Sequence, residues 1–194
     1  MRLLLPACLV LLALFSIPLS GCINGACKVQ GSSNVPIGGD FTLIDQNGRT
    51  VTGDSFDGKY RIVYFGYTYC PDVCPTELQQ ISSALDKLGK DADKFTPIFI
   101  SVDPARDTPK VMGEYLKNFY PGFVGLTGTA DQVAAAAKAY RVYYSKHERQ
   151  DDPEAYTMDH SSFVYVMDCK GRYITHFEYG TPAEKMAEKL KSLI

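Results

Sequence analysis

The sequence contains no tryptophan; its aromatic side chains are 13 tyrosines and 10 phenylalanines. Any site in this chain is therefore flanked without an indole. Basic residues are in no excess, since 20 Lys and Arg stand against 22 Asp and Glu, a formal charge of −2. That balance lacks the electrostatic footprint of a nucleic-acid binder. No internal repeat or low-complexity tract is present, which argues against repeat architectures. Histidine is scarce, and imidazole chemistry is confined to His147, His160 and His176. Long apolar runs are confined to the first 19 residues. What remains, 194 residues with 45% hydrophobic and 22% charged side chains, is enough for one well-packed domain.

Met1-Arg2 followed by an apolar run from Leu3 to Leu19 has the charged start and length of a secretory signal rather than of a membrane span. Cys8 lies inside that run and needs no chemistry. Leu19-Ser20-Gly21-Cys22 resembles a bacterial lipobox, which implies cleavage after residue 21 and lipidation of Cys22. The alternative is an uncleaved N-terminal anchor. Either way the domain is exported and held at a membrane of the bacterial cell envelope, in the periplasm or on the outer face of the cytoplasmic membrane. Loss of Arg2 with the signal leaves 19 basic against 22 acidic residues, a charge of −3. Residues 22–36 are polar, contain Gly and Ser and lack periodicity, the composition of a flexible tether; Cys27 within it reads as incidental. The folded domain is expected over 37–194.

The densest chemistry lies in Gly66-Tyr67-Thr68-Tyr69-Cys70-Pro71-Asp72-Val73-Cys74-Pro75. Upstream, Tyr60-Arg61-Ile62-Val63-Tyr64-Phe65 reads as a buried strand; downstream, Leu78, Ile81, Leu85 and Leu88 recur at helical spacing until Gly89. The thiols thus sit at a strand-to-helix turn. Within one regular helical turn their Cβ atoms would lie roughly 5–6 Å apart, whereas a relaxed disulfide needs about 3.5–4.5 Å. A Cys70–Cys74 disulfide therefore needs a non-helical turn or carries strain that makes it reducible, while a metal ion fits the wider gap. Pro75 suits the first helical position, which predicts Cys74 at the N-cap, where the positive end of the dipole favours thiolate.

The rest of the chain alternates strand and helix signals. Asn47-Gly48 between short apolar segments predicts a hairpin, and Asp57-Gly58 turns the chain into the first central strand. A second buried strand is expected over 95–102. Thr108-Pro109 opens a helix with Met112, Tyr115, Leu116 and Phe119 inward, and Thr129 with Gln132 forms a capping box before an alanine-rich helix ending near Tyr140. Strands are expected at 142–145, 162–167 and 173–179, and a last helix opens at Thr181-Pro182-Ala183-Glu184. That order predicts an α/β thioredoxin-like fold, a mixed central sheet flanked by helices, with an added N-terminal β-hairpin.

Phe65-Gly66-Tyr67-Thr68-Tyr69-Cys70-Pro71-Asp72-Val73-Cys74-Pro75 resembles the signature of the Sco/SenC family of copper chaperones, which help assemble the dinuclear copper centre of cytochrome c oxidase. Ser101-Val102-Asp103-Pro104-Ala105-Arg106-Asp107-Thr108-Pro109, Val142-Tyr143-Tyr144-Ser145 and Asp159-His160-Ser161-Ser162 agree with it. The resemblance runs from about Phe41 to the C-terminus and implies that Cys70, Cys74 and His160 bind copper. Thioredoxin-like redox enzymes place a cis-proline where the Asp159-His160 pair stands here. Two thiolates and an imidazole suit Cu(I), and with an added oxygen ligand Cu(II), one ion per chain; zinc also accepts such a set. Asp72 and Asp159 are candidates to accept a hydrogen bond from a metal-bound imidazole. Asp103 and Asp107 shape the loop before the helix at Pro109, and Tyr67 and Tyr69 pack around the site. His147, among charged neighbours, reads as a solvated loop residue and His176 as structural. Cys169 is either a bystander or a partner for Cys27.

The implied partners are cytochrome c oxidase subunit II, a thioredoxin-like reductase that keeps the thiols reduced, an upstream copper donor, and the membrane through a lipid; nucleic acid is not among them. The alternative is a thiol–disulfide oxidoreductase in which Cys70 and Cys74 are the catalytic pair and reduce that subunit. A peroxidase-type thiol enzyme matches the spacing and prolines less well.

Overall fold

A computed structural model describes Cys27, residues 34–148 and residues 155–194. Cys22 and the segment expected to be a signal lie outside the described residues. β1 (Thr42–Asp45) and β2 (Thr50–Thr52) form the expected hairpin, with Gly48 at φ +79° in its turn. β3 (Tyr60–Gly66) is buried along its whole length, as befits a strand covered on both faces. It leads into α1 (Val73–Leu88), which buries Leu78, Ile81, Leu85 and Leu88 and stops at Gly89, φ +56°. The crossover delivers β4 (Phe95–Ser101), parallel to β3 in the register Tyr60↔Phe95.

Thr108 caps α2 (Pro109–Leu116) by accepting the Val111 N–H, and the chain returns as β5 (Val124–Thr127), parallel to β4. The expected capping box of Thr129 and Gln132 opens α3 (Ala130–Ala139). β6 (Tyr144–His147) pairs antiparallel with β7 (Thr157–His160) in a ladder of its own. β8 (Val164–Met167), β9 (Tyr173–Phe177) and α4 (Ala183–Lys191) complete the chain.

The main sheet has seven strands in the order β2-β1-β5-β4-β3-β8-β9. Alternation along β3 divides the core. Tyr64 stacks on Phe99, which meets Tyr115 of α2, while Phe65 meets Tyr140 at the end of α3, itself against Tyr165. α1 and α4 pack on one another. β3 and β4 parallel, β8 and β9 antiparallel, and helices on both faces make the expected thioredoxin-like α/β fold, with the hairpin extending its edge. β5 and β7 are additions to the expected strands, and β6 begins two residues later than expected.

Candidate metal centre

β3 ends at Gly66, and this glycine is a packing requirement: a Cβ on it would lie 2.8 Å from Cys74 Sγ and 2.8 Å from the Phe99 ring. The loop that follows is held by the Cys70 N–H, which donates to the Tyr67 carbonyl at 3.3 Å. The helix then starts earlier than expected. Asp72, not Cys74, is the N-cap, and α1 begins at Val73, so Cys74 is its second residue and Pro75 its third. Proline is accepted there because N–H groups of the first turn have no intrahelical partner to lose. The Asp72 side chain makes no capping bond. In its place the Cys70 sulfur accepts the Cys74 N–H at 3.4 Å. One cysteine thus caps the helix that carries the other.

His160 ends β7, its ring edge-on to Tyr64 and Tyr67. Its Nδ1 faces the Ser161 carbonyl at 3.2 Å and its Nε2 faces Cys74 Sγ at 3.3 Å. A carbonyl oxygen can only accept, so Nδ1 carries the proton and Nε2 presents its lone pair to the sulfur side, the form in which imidazole binds a metal. The candidate ligand atoms of Cys70, Cys74 and His160 all lie within 4.8 Å of one another. Cys74 is fully buried, whereas Cys70 and His160 are half-buried along a cavity of about 320 Å³ that also exposes Tyr67, Pro71 and Met158.

The two sulfurs differ electrostatically. The hydrogen bond from the Cys74 thiol, with further donors in the Cys74 and Asp72 N–H groups, holds Cys70 down to about 3 against an opposing burial cost. Burial, then the Cys70 charge beside it, pushes Cys74 well above the ordinary thiol range. In the metal-free pair the thiolate is therefore favoured on Cys70 and the proton on Cys74.

Asp72 and Asp159 do not serve the imidazole. Asp72 is exposed and offers Cys70 its backbone N–H rather than its carboxylate. Asp159 points away: alternation along β7 puts it on the face opposite His160, where its Oδ2 pairs with His147 Nε2 at 2.8 Å. His147 accordingly belongs to β6 rather than to a loop. The acceptor for His160 is the Ser161 backbone, which no side-chain motif announces.

A second set of residues, expected only to shape a loop, holds the site together. Asp107 is fully buried and accepts from Thr68 N at 3.0 Å, Thr68 Oγ1 at 2.5 Å and Ser101 Oγ at 2.6 Å. Asp103 accepts from Arg106 at 2.5 Å and from the Tyr156 hydroxyl at 2.8 Å, while Arg106 also donates to the Tyr156 carbonyl at 3.1 Å and lies over the Tyr67, Tyr69 and Tyr156 rings. This web ties the cysteine loop and the approach to β7 to the end of β4. Two acids on either side of an arginine, directly after an apolar strand, are the signal that points to it.

The family model described as SCO1/SenC matches residues 29–194. The chain belongs to the SCO1/SenC family. The SCO2-like protein of Rickettsia felis is 42% identical over 174 residues, covering 90% of this chain and 82% of that protein. Among solved structures, Bradyrhizobium japonicum ScoI with copper bound is 48% identical with a TM-score of 0.75, over 81% of this chain and 99% of that one. Yeast Sco1 with copper bound is 38% identical with a TM-score of 0.76, over 81% of this chain and 88% of that one. Within this SCO1/SenC chain, two sulfurs and an imidazole form a soft donor set suited to a thiophilic metal, with one side open to the cavity.

Proposed function

We propose that this SCO1/SenC protein carries one copper ion, Cu(I) or Cu(II), on Cys70, Cys74 and His160, and delivers it to, or uses it to mature, the dinuclear copper centre of cytochrome c oxidase subunit II. The observation that carries the reading is the convergence of three soft ligand atoms within 4.8 Å, in a chain similar to proteins solved with copper bound. Copper is cargo here, and the half-open site suits a carrier that must release it. The protein works from the cell envelope, held to a membrane by lipid at Cys22, receives copper from an upstream donor and depends on a thioredoxin-like reductase, because a disulfide cannot supply thiolate ligands.

A second reading draws on the split between the thiols. A half-exposed, low-pKa Cys70 beside a buried, protonated Cys74 is also the arrangement of a thiol–disulfide oxidoreductase, whose task would be to reduce the cysteines of that subunit.

One set of variants separates them. The reduced full chain should bind one Cu(II) with an intense sulfur-to-copper absorption that Cys70→Ala and Cys74→Ala each abolish. His160→Ala should weaken binding by at least ~10–100-fold, the loss usual for merely disturbing a ligand's support, and should fail to support oxidase assembly while still exchanging with a small disulfide. A band that persists in the double cysteine variant places the metal elsewhere. Normal oxidase activity of His160→Ala under limiting copper overturns the carrier reading in favour of the oxidoreductase.

A further inference from the structure

Cys27 and Cys169 lie 142 positions apart in sequence, yet the structure brings them together at the pole of the domain opposite the metal centre. Cys169 stands in the turn between β8 and β9, is 5% exposed, and its thiol donates to the Cys27 carbonyl at 3.1 Å. Its own carbonyl accepts the Gly58 N–H at 3.2 Å, just before β3 begins. Cys27 is half-buried and packs on the core, so it is not the incidental tether residue that composition suggests. Its sulfur lies within hydrogen-bonding reach of the Cys169 thiol and N–H and of the Tyr60 hydroxyl, and burial with the adjacent thiol pushes it up to about 12.

We propose that Cys27 and Cys169 are a second thiol pair, which closes to a disulfide under oxidising conditions and clips the N-terminal segment to the domain. Proximity of the two side chains, burial that shields Cys169 from other thiols, and a position outside Cys70–Cys74 chemistry all favour this pairing. Cys27, the more exposed sulfur, exchanges first: its thiolate attacks a small disulfide such as glutathione disulfide and one glutathione thiolate leaves. The Cys169 thiolate then attacks the Cys27 sulfur and expels the second glutathione, and the two cysteine protons end on the two glutathiones. Two cysteines are oxidised and one disulfide is reduced. At neutral pH the raised Cys27 makes the first step slow, and its rate should climb with pH.

The test is peptide mapping of the folded full chain after incubation with glutathione disulfide, alkylation and digestion without reductant. The expected result is a cross-linked peptide pair with the bond at Cys27 and Cys169, formed equally in a Cys70→Ser/Cys74→Ser variant and absent from Cys169→Ser. Independence from the Cys70–Cys74 variant keeps this result separate from the fate of the copper reading. The proposal is overturned if both cysteines remain alkylatable as in guanidinium-unfolded protein, if Cys27 is recovered only as a glutathione adduct, or if it is joined to Cys70 or Cys74.

Discussion

At the residue scale, two thiols four positions apart and one imidazole restrict what a site can be, and the fold brings their ligand atoms within 4.8 Å of one another. Asp159 was not legible in the same way. Its role turns on strand parity, and parity is unreadable until β7 is seen. Glu77 is a third kind of case, a charged residue type fully buried on α1, one turn beyond Cys74. Its Oε2 accepts the Gly180 N–H at 3.2 Å, and burial raises its pKa. A carboxyl whose folded pKa lies above the unfolded one adds stability that is complete below the unfolded value of about 4.3 and is lost as pH rises through the folded value. Glu77→Gln keeps an acceptor for Gly180 and cannot ionise. Urea unfolding should therefore show the variant gaining on the natural protein as pH climbs above about 4.3, by about 1.4 kcal/mol for each pH unit separating the two pKa values. Parallel stability curves from pH 4 to 8 would show that Glu77 titrates alike in both states.

At the element scale, the strands that escaped the sequence were short, four residues each. β5 carries Gly125, and strands ordinarily avoid glycine; here a Cβ would lie 2.6 Å from Leu116 of α2, so close packing overrides propensity. β7 is half-exposed along its length and exists because β6 pairs with it. By contrast α1, α2 and α3 were readable from apolar spacing and caps, although Pro75 misled on the first turn of α1. What joins these elements into a site is Asp107. Asp107→Ala leaves the Thr68 N–H, the Thr68 hydroxyl and the Ser101 hydroxyl without their acceptor. Unsatisfied buried groups cost about 1–3 kcal/mol each, so a loss of roughly 3 kcal/mol or more is expected in urea unfolding, with weaker copper binding as the Cys70 loop loosens. Asp107→Asn, which retains one acceptor oxygen, should lose less. An alanine variant within about 0.5 kcal/mol of the natural protein, the range of ordinary surface changes, would remove Asp107 from this role.

At the scale of the whole molecule, the two thiol pairs sit at opposite ends of β3, a strand of seven residues and so roughly 20 Å long. Cys169 binds the loop before its first residue, and Cys70 follows its last. With the Cys27–Cys169 bond closed, chain between a lipid on Cys22 and the domain shrinks to the five positions from 22 to 27, at most about 18 Å of extended chain. The metal centre would then face away from the membrane surface on a short leash; with the bond open, only the packing of Cys27 on the core holds that segment to the domain. Lys28 immediately after Cys27 makes this measurable. In membrane vesicles carrying the full chain, limited trypsin cleavage after Lys28 separates the lipid-bearing peptide from residues 29–194. If the disulfide is closed, the domain stays with the pellet after cleavage and appears in the supernatant only when dithiothreitol is added. Cys169→Ser should release it without reductant. Protein found in the supernatant before any trypsin is added would count against the lipid anchor alone and leave the cross-link to be judged by peptide mapping. Release of the cleaved natural protein without reductant, after prior oxidation by glutathione disulfide, would count against the clip.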